Sequence, residues 1–247
     1  MSPIPNPGQT RSTRQLTHLL HTPDTFVRIP LPGLIGGEAI VHAAPALGAK
    51  FLQYTAELTP KGKLMPCAHQ RFVYVLEGSA SIIGPGLDQT IHAGAFVYMP
   101  ATQPTTLIAN TACRCAVIEK RYEPLPGVAP PSAFVGNEAT IPAVPLGGDP
   151  NLLVRSLLPA NFAFDFAVNT MTYAPGAALS QVEIHVMEHG LLMLAGSGPY
   201  LLGDTTYQVA PGDFIWMAPF CPQWFQADAT AEAKYLIYKD FNRIPAL

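Results

Sequence analysis

The chain has 247 residues, of which 49% are hydrophobic and 13% are charged, and its formal net charge is −3. This composition predicts a compact globular protein, long enough for one large or two modest domains. No apolar run reaches the roughly 18 residues of a membrane span, and the first thirty residues lack the apolar core of a signal peptide. The absence of Lys and Arg clusters argues against a nucleic-acid partner. We therefore expect a cytoplasmic protein that acts on a small molecule, with no membrane or nucleic-acid partner.

Short β-type segments dominate the chain from Phe51 onward. Residues 1–30, by contrast, are punctuated by proline and predict an extended arm. The later segments are bounded by Gly, Pro, Asn or Asp, as in an all-β sandwich or barrel. No long stretch keeps the 3.6-residue period of a helix, so helices should be few and short. The segments of the first half are FLQYTAEL (51–58), RFVYVLEG (71–78), SASIIG (79–84), QTIHAG (89–94), AFVYMP (95–100) and CRCAVIEKRY (113–122).

The two halves of the chain form a repeat. Leu-Glu-Gly78-Ser matches Leu-Ala-Gly196-Ser, and Ala-Gly94-Ala-Phe matches Pro-Gly212-Asp-Phe, both at an offset of 118 residues. Between the halves, residues 123–150 contain seven prolines and four glycines, which predicts a crossover between domains. The expected organisation is an arm at 1–30, a first barrel at 31–122, a crossover at 123–150 and a second barrel at 151–247.

The second half carries side chains of the types that bind metals. Glu183, His185 and His189 are spaced by two and four residues, and in an extended strand Glu183 and His185 face the same side. A carboxylate and two imidazoles that converge form a transition-metal site. The alternative is that both histidines are ordinary core or surface residues. Two of only seven histidines lie within five residues beside a glutamate, and this clustering favours the metal site.

The first half lacks this cluster. At the same offset, the three positions are occupied by Met65, Cys67 and Arg71, which do not form a Glu-His-His site. We favour a structural role for the nearby His69. The sequence therefore predicts a metal-free first barrel beside a metal-binding second one.

The spacing of these residues resembles that of a bicupin, in which one chain forms two double-stranded β-helix (jelly-roll) barrels. The first cupin motif has two His separated by one residue, followed by Glu and Gly. Glu183-Ile-His185 with His189 fits this motif with the ligand types permuted. The second motif places a His eleven residues after the Gly of a Pro-Gly-Asp turn, and the corresponding residue after Gly212 is Gln223. The resemblance therefore implies an all-β bicupin fold with an amide as the fourth ligand.

The Glu-His-His-Gln order and the ending YLIYKDFNR (235–243) together resemble the (S)-ureidoglycine aminohydrolase family. Members of this family are manganese bicupins of allantoin (purine) catabolism. They replace the amine of ureidoglycine with a hydroxyl group, giving (S)-ureidoglycolate and ammonia. The cupin frame alone says little about function, whereas the ligand permutation and this ending are much more specific.

The resemblance implies a role for each residue of the candidate site. It implies a Mn(II) ion held by four ligands, Glu183, His185, His189 and Gln223. It also implies three substrate-binding residues, Tyr200, Tyr235 and Lys239. As a mechanistic hypothesis, Glu183 and Lys239 are the catalytic residues: Glu183 could move a proton as well as bind the metal, and Lys239 could anchor the carboxylate or assist ammonia departure. The sequence leaves open which group is the proton shuttle.

The residues by themselves leave alternatives open. Lys239 is either an exposed edge residue or an inward cation for an anionic substrate. Another cupin metalloenzyme, such as an iron-dependent dioxygenase, an isomerase or a decarboxylase, fits the same frame, and so does a non-enzymatic cupin that binds a small molecule. The proline-rich arm further suggests a homo-oligomer, because cupin barrels with extended arms commonly pair.

Overall fold

Antiparallel β-strands supply nearly all the regular structure in a computed structural model of the chain, which describes residues 9–243. The helices of this range are three short 3₁₀ helices, at Pro23–Thr25, Pro45–Leu47 and Glu138–Thr140. The predicted all-β class with few, short helices is confirmed. No helix within the described range is long and apolar enough to cross a membrane.

The chain divides into two compact units. The first barrel comprises Val27–Ile141 with Asn161–Asp165, and the second comprises Pro142–Ala160 with the described parts of Met1–Phe26 and Phe166–Leu247. The strands up to the end of the first barrel are β1 (Thr13–Arg14), β2 (His18–His21), β3 (Arg28–Ile29), β4 (Leu34–Ala43), β5 (Leu52–Leu64), β6 (Gln70–Glu77), β7 (Ser79–Gly84), β8 (Leu87–His92), β9 (Ala95–Met99), β10 (Thr106–Ala109), β11 (Cys113–Lys120) and β12 (Phe134–Asn137). The remaining strands are β13 (Val144–Leu146), β14 (Asp149–Ser156), β15 (Ala167–Tyr173), β16 (His189–Ala195), β17 (Gly198–Leu202), β18 (Thr205–Val209), β19 (Phe214–Met217), β20 (Gln223–Phe225) and β21 (Ala233–Lys239).

The first barrel is one antiparallel sheet in the order β12-β9-β6-β11-β5-β10-β7-β8, with β4 paired to β5 and β3 to β4. Alternate residues of its strands face inward, so Tyr54, Ala56 and Leu58 of β5 share a buried core with Val73 and Val75 of β6. The six segments predicted for this half correspond to β5–β9 and β11. Strands β3, β4, β10 and β12 were not predicted.

The second barrel combines two sheets, in the orders β1-β2-β19-β16-β21-β15-β14-β13 and β18-β17-β20. The N-terminal segment was expected as an arm at 1–30, and here the structure differs. β2 pairs along the edge of β19, where it covers backbone groups that would otherwise lack partners. Arg11 forms a bidentate ion pair with the buried carboxylate of Asp213, with N–O distances of 2.6 and 2.9 Å. The described part of the arm is thus an integral part of the second barrel.

The boundaries expected around the crossover also differ from the structure. Residues 123–150 contain β12, β13 and the start of β14, since prolines are tolerated in an edge strand such as β13. Farther along, Asn161–Asp165 returns to the first barrel. The Asp165 carboxylate accepts hydrogen bonds there from Gln70 Nε2 at 2.6 Å and Lys120 Nζ at 2.8 Å.

Glycine recurs at the turns after β6 and β16 for a steric reason. Gly78 and Gly196 have φ values of +81° and +66°, in the left-handed region that favours glycine. A Cβ atom at Gly78 would lie 2.1 Å from the carbonyl oxygen of Ala112, and one at Gly196 would lie 2.3 Å from that of Glu232. The same close backbone approach therefore recurs in both barrels.

A buried ion pair occupies the interior of the first barrel. Arg71 and Glu119 are direct partners across β6 and β11, and Arg71 Nε donates to Glu119 Oε1 at 2.7 Å. The Tyr54 hydroxyl donates to the same carboxylate oxygen at 2.8 Å, and Arg71 Nη1 donates to the carbonyl of Met65 at 2.8 Å. These contacts satisfy a charged pair that the barrel almost fully encloses.

Replacing Arg71 with leucine should destabilise the protein by about 3–5 kcal/mol, because the substitution leaves the Glu119 carboxylate buried without its partner. The matched control is Arg114→Leu, which breaks an exposed ion pair with Glu77 and should cost no more than about 1 kcal/mol. Urea unfolding of both variants measures the difference. Equal losses would contradict the view that burial makes the Arg71 pair important.

Candidate metal centre

Glu183 and His185 lie in the segment that connects β15 to β16. The sequence analysis placed them on a regular strand, and this was wrong. The segment has no regular strand and makes isolated bridges, Ala178 with Gln226 and Glu183 with Gln223. In that bridge the Glu183 N–H donates to the Gln223 carbonyl at 2.8 Å, and the Gln223 N–H donates to the Glu183 carbonyl at 3.0 Å. His189, in contrast, opens β16.

The four predicted ligand side chains meet in the second barrel. His185 Nε2 lies 3.2 Å from His189 Nε2 and 2.8 Å from Gln223 Nε2. Glu183 Oε2 is 3.9 Å from His185 Nε2. His189 and Gln223 are each 3% exposed, whereas the side chains of His185 and Glu183 are 24% and 35% exposed. The cluster therefore has a buried side and a side open to solvent.

The spacing of these atoms suits a shared ion. Donors bound at about 2.1 Å to one metal, at angles between octahedral and tetrahedral, lie about 3.0–3.4 Å apart. The two imidazole Nε2 atoms match this spacing, the Gln223 amide is slightly closer, and Glu183 is farther out. Among residues 9–243, no three His, Cys, Asp or Glu side chains alone form a metal-binding group, so the candidate centre includes the amide of Gln223. Oxygen and nitrogen donors of this mixture fit a divalent transition metal such as Mn(II).

The environment of His189 favours its neutral form. Burial lowers the pKa of His189 well below its usual value, and the neighbouring His185 and Lys239 lower it further. A neutral imidazole keeps a lone pair on one ring nitrogen, which is the form that binds metals.

Three buried tyrosines, Tyr173, Tyr200 and Tyr235, lie near the ligand cluster. The Tyr200 hydroxyl donates to Gln223 Oε1 at 3.1 Å, and the Tyr235 hydroxyl is 2.7 Å from that of Tyr173. Burial raises the pKa of all three phenols well above the usual value, so they remain protonated donors at neutral pH. The Phe225 ring packs against each of the three rings, with centroid distances of 4.9–5.9 Å.

Lys239 lies directly across the sheet from His189. An ammonium group only donates, so the Asn169 amide is oriented with its oxygen towards Lys239 Nζ at 3.1 Å, and its Nδ2 then donates to the Val168 carbonyl at 3.0 Å. The ammonium also lies 5.2 Å from the centre of the Phe241 ring. Burial lowers the pKa of Lys239, and the charge of Glu183 opposes this shift. Lys239 is therefore an inward cation near the cluster, not an exposed edge residue.

The turn before Gln223 supports the cluster through its backbone. Phe220 has a φ of +63°, an uncommon conformation for a bulky residue. Its N–H donates to the His185 carbonyl at 2.8 Å. This contact links the turn that leads to β20 with the segment that carries two of the candidate ligands.

The structure brings together all seven predicted site residues, and their individual roles stay predictions. Tyr173 and Asn169 were missed by the sequence analysis. A signal was available, because both lie on the inward face of β15, next to the strand that carries Tyr235 and Lys239. Residues of equal parity on neighbouring antiparallel strands share a face.

No protein-family model matches the chain. Named relatives cover nearly all of it. The (S)-ureidoglycine aminohydrolase of Arabidopsis thaliana is 37% identical over 243 residues, which are 97% of this chain and 80% of the relative. The enzyme of the same name from Escherichia coli strain K12 is 29% identical over 231 residues, or 91% of this chain and 88% of the relative.

Solved structures confirm the bicupin fold. The crystal structure of the protein Ylba from E. coli has a TM-score of 0.85 and 27% identity, and covers 97% of each chain. Bacillus subtilis oxalate decarboxylase has a TM-score of 0.72 and covers 95% of this chain and 80% of its own, but at 11% identity it shows the fold alone. Because the Arabidopsis relative is 37% identical over almost the whole length, the chain belongs to the (S)-ureidoglycine aminohydrolase family.

Proposed function

We propose that the protein hydrolyses (S)-ureidoglycine to (S)-ureidoglycolate and ammonia in allantoin degradation. The observation that carries this proposal is the meeting of Glu183, His185, His189 and Gln223 in one partly exposed cluster. The cluster occurs in a chain whose named relatives are aminohydrolases.

We infer that these four side chains hold a divalent metal ion, with Mn(II) favoured. When bound, the ion supplies positive charge and Lewis acidity beside the substrate. Glu183 is the one carboxylate among the four, so a 2+ ion would keep a net positive charge. The low pKa of buried His189 keeps its imidazole neutral and ready to bind.

The surrounding side chains are arranged for an anionic substrate with a departing amine. Lys239, held by Asn169, offers an ammonium group that binds the substrate carboxylate or gives a proton to the leaving ammonia. Tyr235 offers a hydroxyl group on the same inward face. Glu183, partly open to solvent, takes a proton from the attacking water as the new C–O bond forms and the C–N bond breaks. Fixed placement of water and substrate on one face explains a single enantiomer of product.

Two other expectations stay predictions. We place the protein in the cytoplasm, in line with a small-molecule substrate. We also expect a homo-oligomer, although the described part of the N-terminal arm pairs within its own chain and no longer supports that idea.

Purified protein supplied with Mn(II) should release ammonia from ureidoglycine, generated in situ from allantoate, faster than the spontaneous reaction. The product should be only (S)-ureidoglycolate, because the site presents one face of the substrate to water. An ammonia assay and chiral analysis measure the two properties. Release at the spontaneous rate with racemic product would overturn the proposed substrate and reaction.

Replacing His185 with alanine should abolish metal binding at stoichiometric concentration and lower kcat/KM by more than about 100-fold. The loss should exceed the 10–100-fold effect of removing a residue that only orients a metal ligand, because His185 is itself a proposed ligand. The control is His92→Ala, which removes an exposed histidine of the first barrel and should leave both properties unchanged. Metal analysis after gel filtration, combined with the ammonia assay, tests both variants. Full turnover with bound metal in the His185 variant would contradict the proposed centre.

A further inference from the structure

The backbone leaves the Gln223 side chain little freedom. Residue 223 is bridged to Glu183 by two hydrogen bonds of 2.8 and 3.0 Å, and β20 pairs with β17 opposite Leu202. The side chain is 3% exposed. Its amide lies between two fixed polar neighbours, the His185 ring on one side and the Tyr200 hydroxyl on the other. The remaining choice is which end of the amide faces which neighbour.

The two ends of the amide are chemically different. In this structure Nε2 faces His185 at 2.8 Å, and Oε1 accepts from Tyr200 at 3.1 Å. A metal cation binds the carbonyl oxygen of an amide, because the NH₂ group is a donor with no free lone pair to offer. A bound metal therefore requires the reverse orientation, with Oε1 towards the histidines and Nε2 towards Tyr200.

Tyr200 is suited to both orientations, because a phenol hydroxyl both donates and accepts. Tyr200 is 1% exposed, and its ring packs on Phe225 at a centroid distance of 5.4 Å, so its oxygen stays beside the amide. In the reverse orientation the hydroxyl accepts from Gln223 Nε2. Without it, that N–H group would be buried with no partner on this side.

In the reverse orientation, the hydroxyl hydrogen of Tyr200 no longer bonds the Gln223 oxygen. Its hydroxyl also lies 3.9 Å from the Met217 sulfur, which is a weak acceptor. The other two hydroxyls of the tyrosine group, on Tyr173 and Tyr235, are bonded to each other. Once Tyr200 accepts from Gln223, its hydrogen is left for a ligand in the site.

We propose that Tyr200 stabilises the metal-binding orientation of the Gln223 amide by accepting a hydrogen bond from its Nε2 group, and that it thereby turns its own hydroxyl hydrogen to the substrate. This inference rests on the proposed metal centre. It makes Tyr200 a positioning residue for a ligand as well as a substrate contact, and it couples metal loading to the readiness of the substrate site.

Equilibrium binding of Mn(II) tests the proposal without the reaction. The paramagnetic resonance signal of free Mn(II) gives the dissociation constant for each variant. Tyr200→Phe keeps the ring and loses the hydroxyl, and it should weaken binding by about 10–100-fold, the usual effect of losing a partner that orients a ligand. Tyr173→Phe is the matched control, since it loses a buried hydroxyl of the same cluster that does not contact Gln223, and it should change affinity less than about twofold.

A second background separates orientation from a general loss of structure. Gln223→Glu has an oxygen at both ends and needs no orienting partner, so adding Tyr200→Phe to it should cost far less than in the wild type. Circular dichroism in the near ultraviolet checks that each variant is folded. Wild-type protein that binds no Mn(II) would overturn the metal centre itself. If the wild type binds Mn(II), three results would overturn this inference alone. They are an unchanged Mn(II) affinity in Tyr200→Phe, an equal loss of affinity in Tyr173→Phe, and an equal loss when Tyr200→Phe is added to Gln223→Glu.

Discussion

The need to pair polar groups inside a β-barrel governs both halves of this protein. A buried polar group without a partner costs about 1–3 kcal/mol, and an unpaired charge costs more. Both barrels bury polar side chains at matching positions, where Arg71 faces Glu119 across the first sheet and His189 faces Lys239 across the second. The first barrel pairs its charges internally.

In the second barrel, the charges of the candidate site are paired less completely. Its interior holds two imidazoles, an amide and an ammonium group, and the carboxylate of the cluster, Glu183, is partly exposed. Burial consequently lowers the pKa of both His189 and Lys239. The neutral imidazole of His189 and the ammonium group of Lys239 are consistent with the proposed metal ion and anionic substrate.

Local patterns made much of this structure predictable. The segments of β5–β9 and β11 are apolar and bounded by turn residues. The spacing of Glu183, His185 and His189 indicated a candidate metal site, and the resemblance to the cupin motifs added Gln223. Contacts between distant residues were harder. Nothing local to Thr13–Arg14 indicates that this short segment joins β2 at the edge of β19, and nothing local to Asp165 indicates its return to Gln70 and Lys120. Tyr173 and Asn169 were missed because their roles depend on the strand beside them.

The N-terminal strands show how far such distant contacts reach into the site. The Ala218 N–H donates to the Thr17 carbonyl at 2.9 Å, and His18 Nε2 lies 3.0 Å from the Tyr207 hydroxyl. Ala218 begins the turn that passes through Phe220 to Gln223, so the chain's beginning fixes one end of the segment that carries a candidate ligand. Closing so long a loop carries an entropy cost that grows only slowly with its length. The pairing of β2 with β19 and the ion pair of Arg11 with the buried Asp213 carboxylate therefore help to offset this cost.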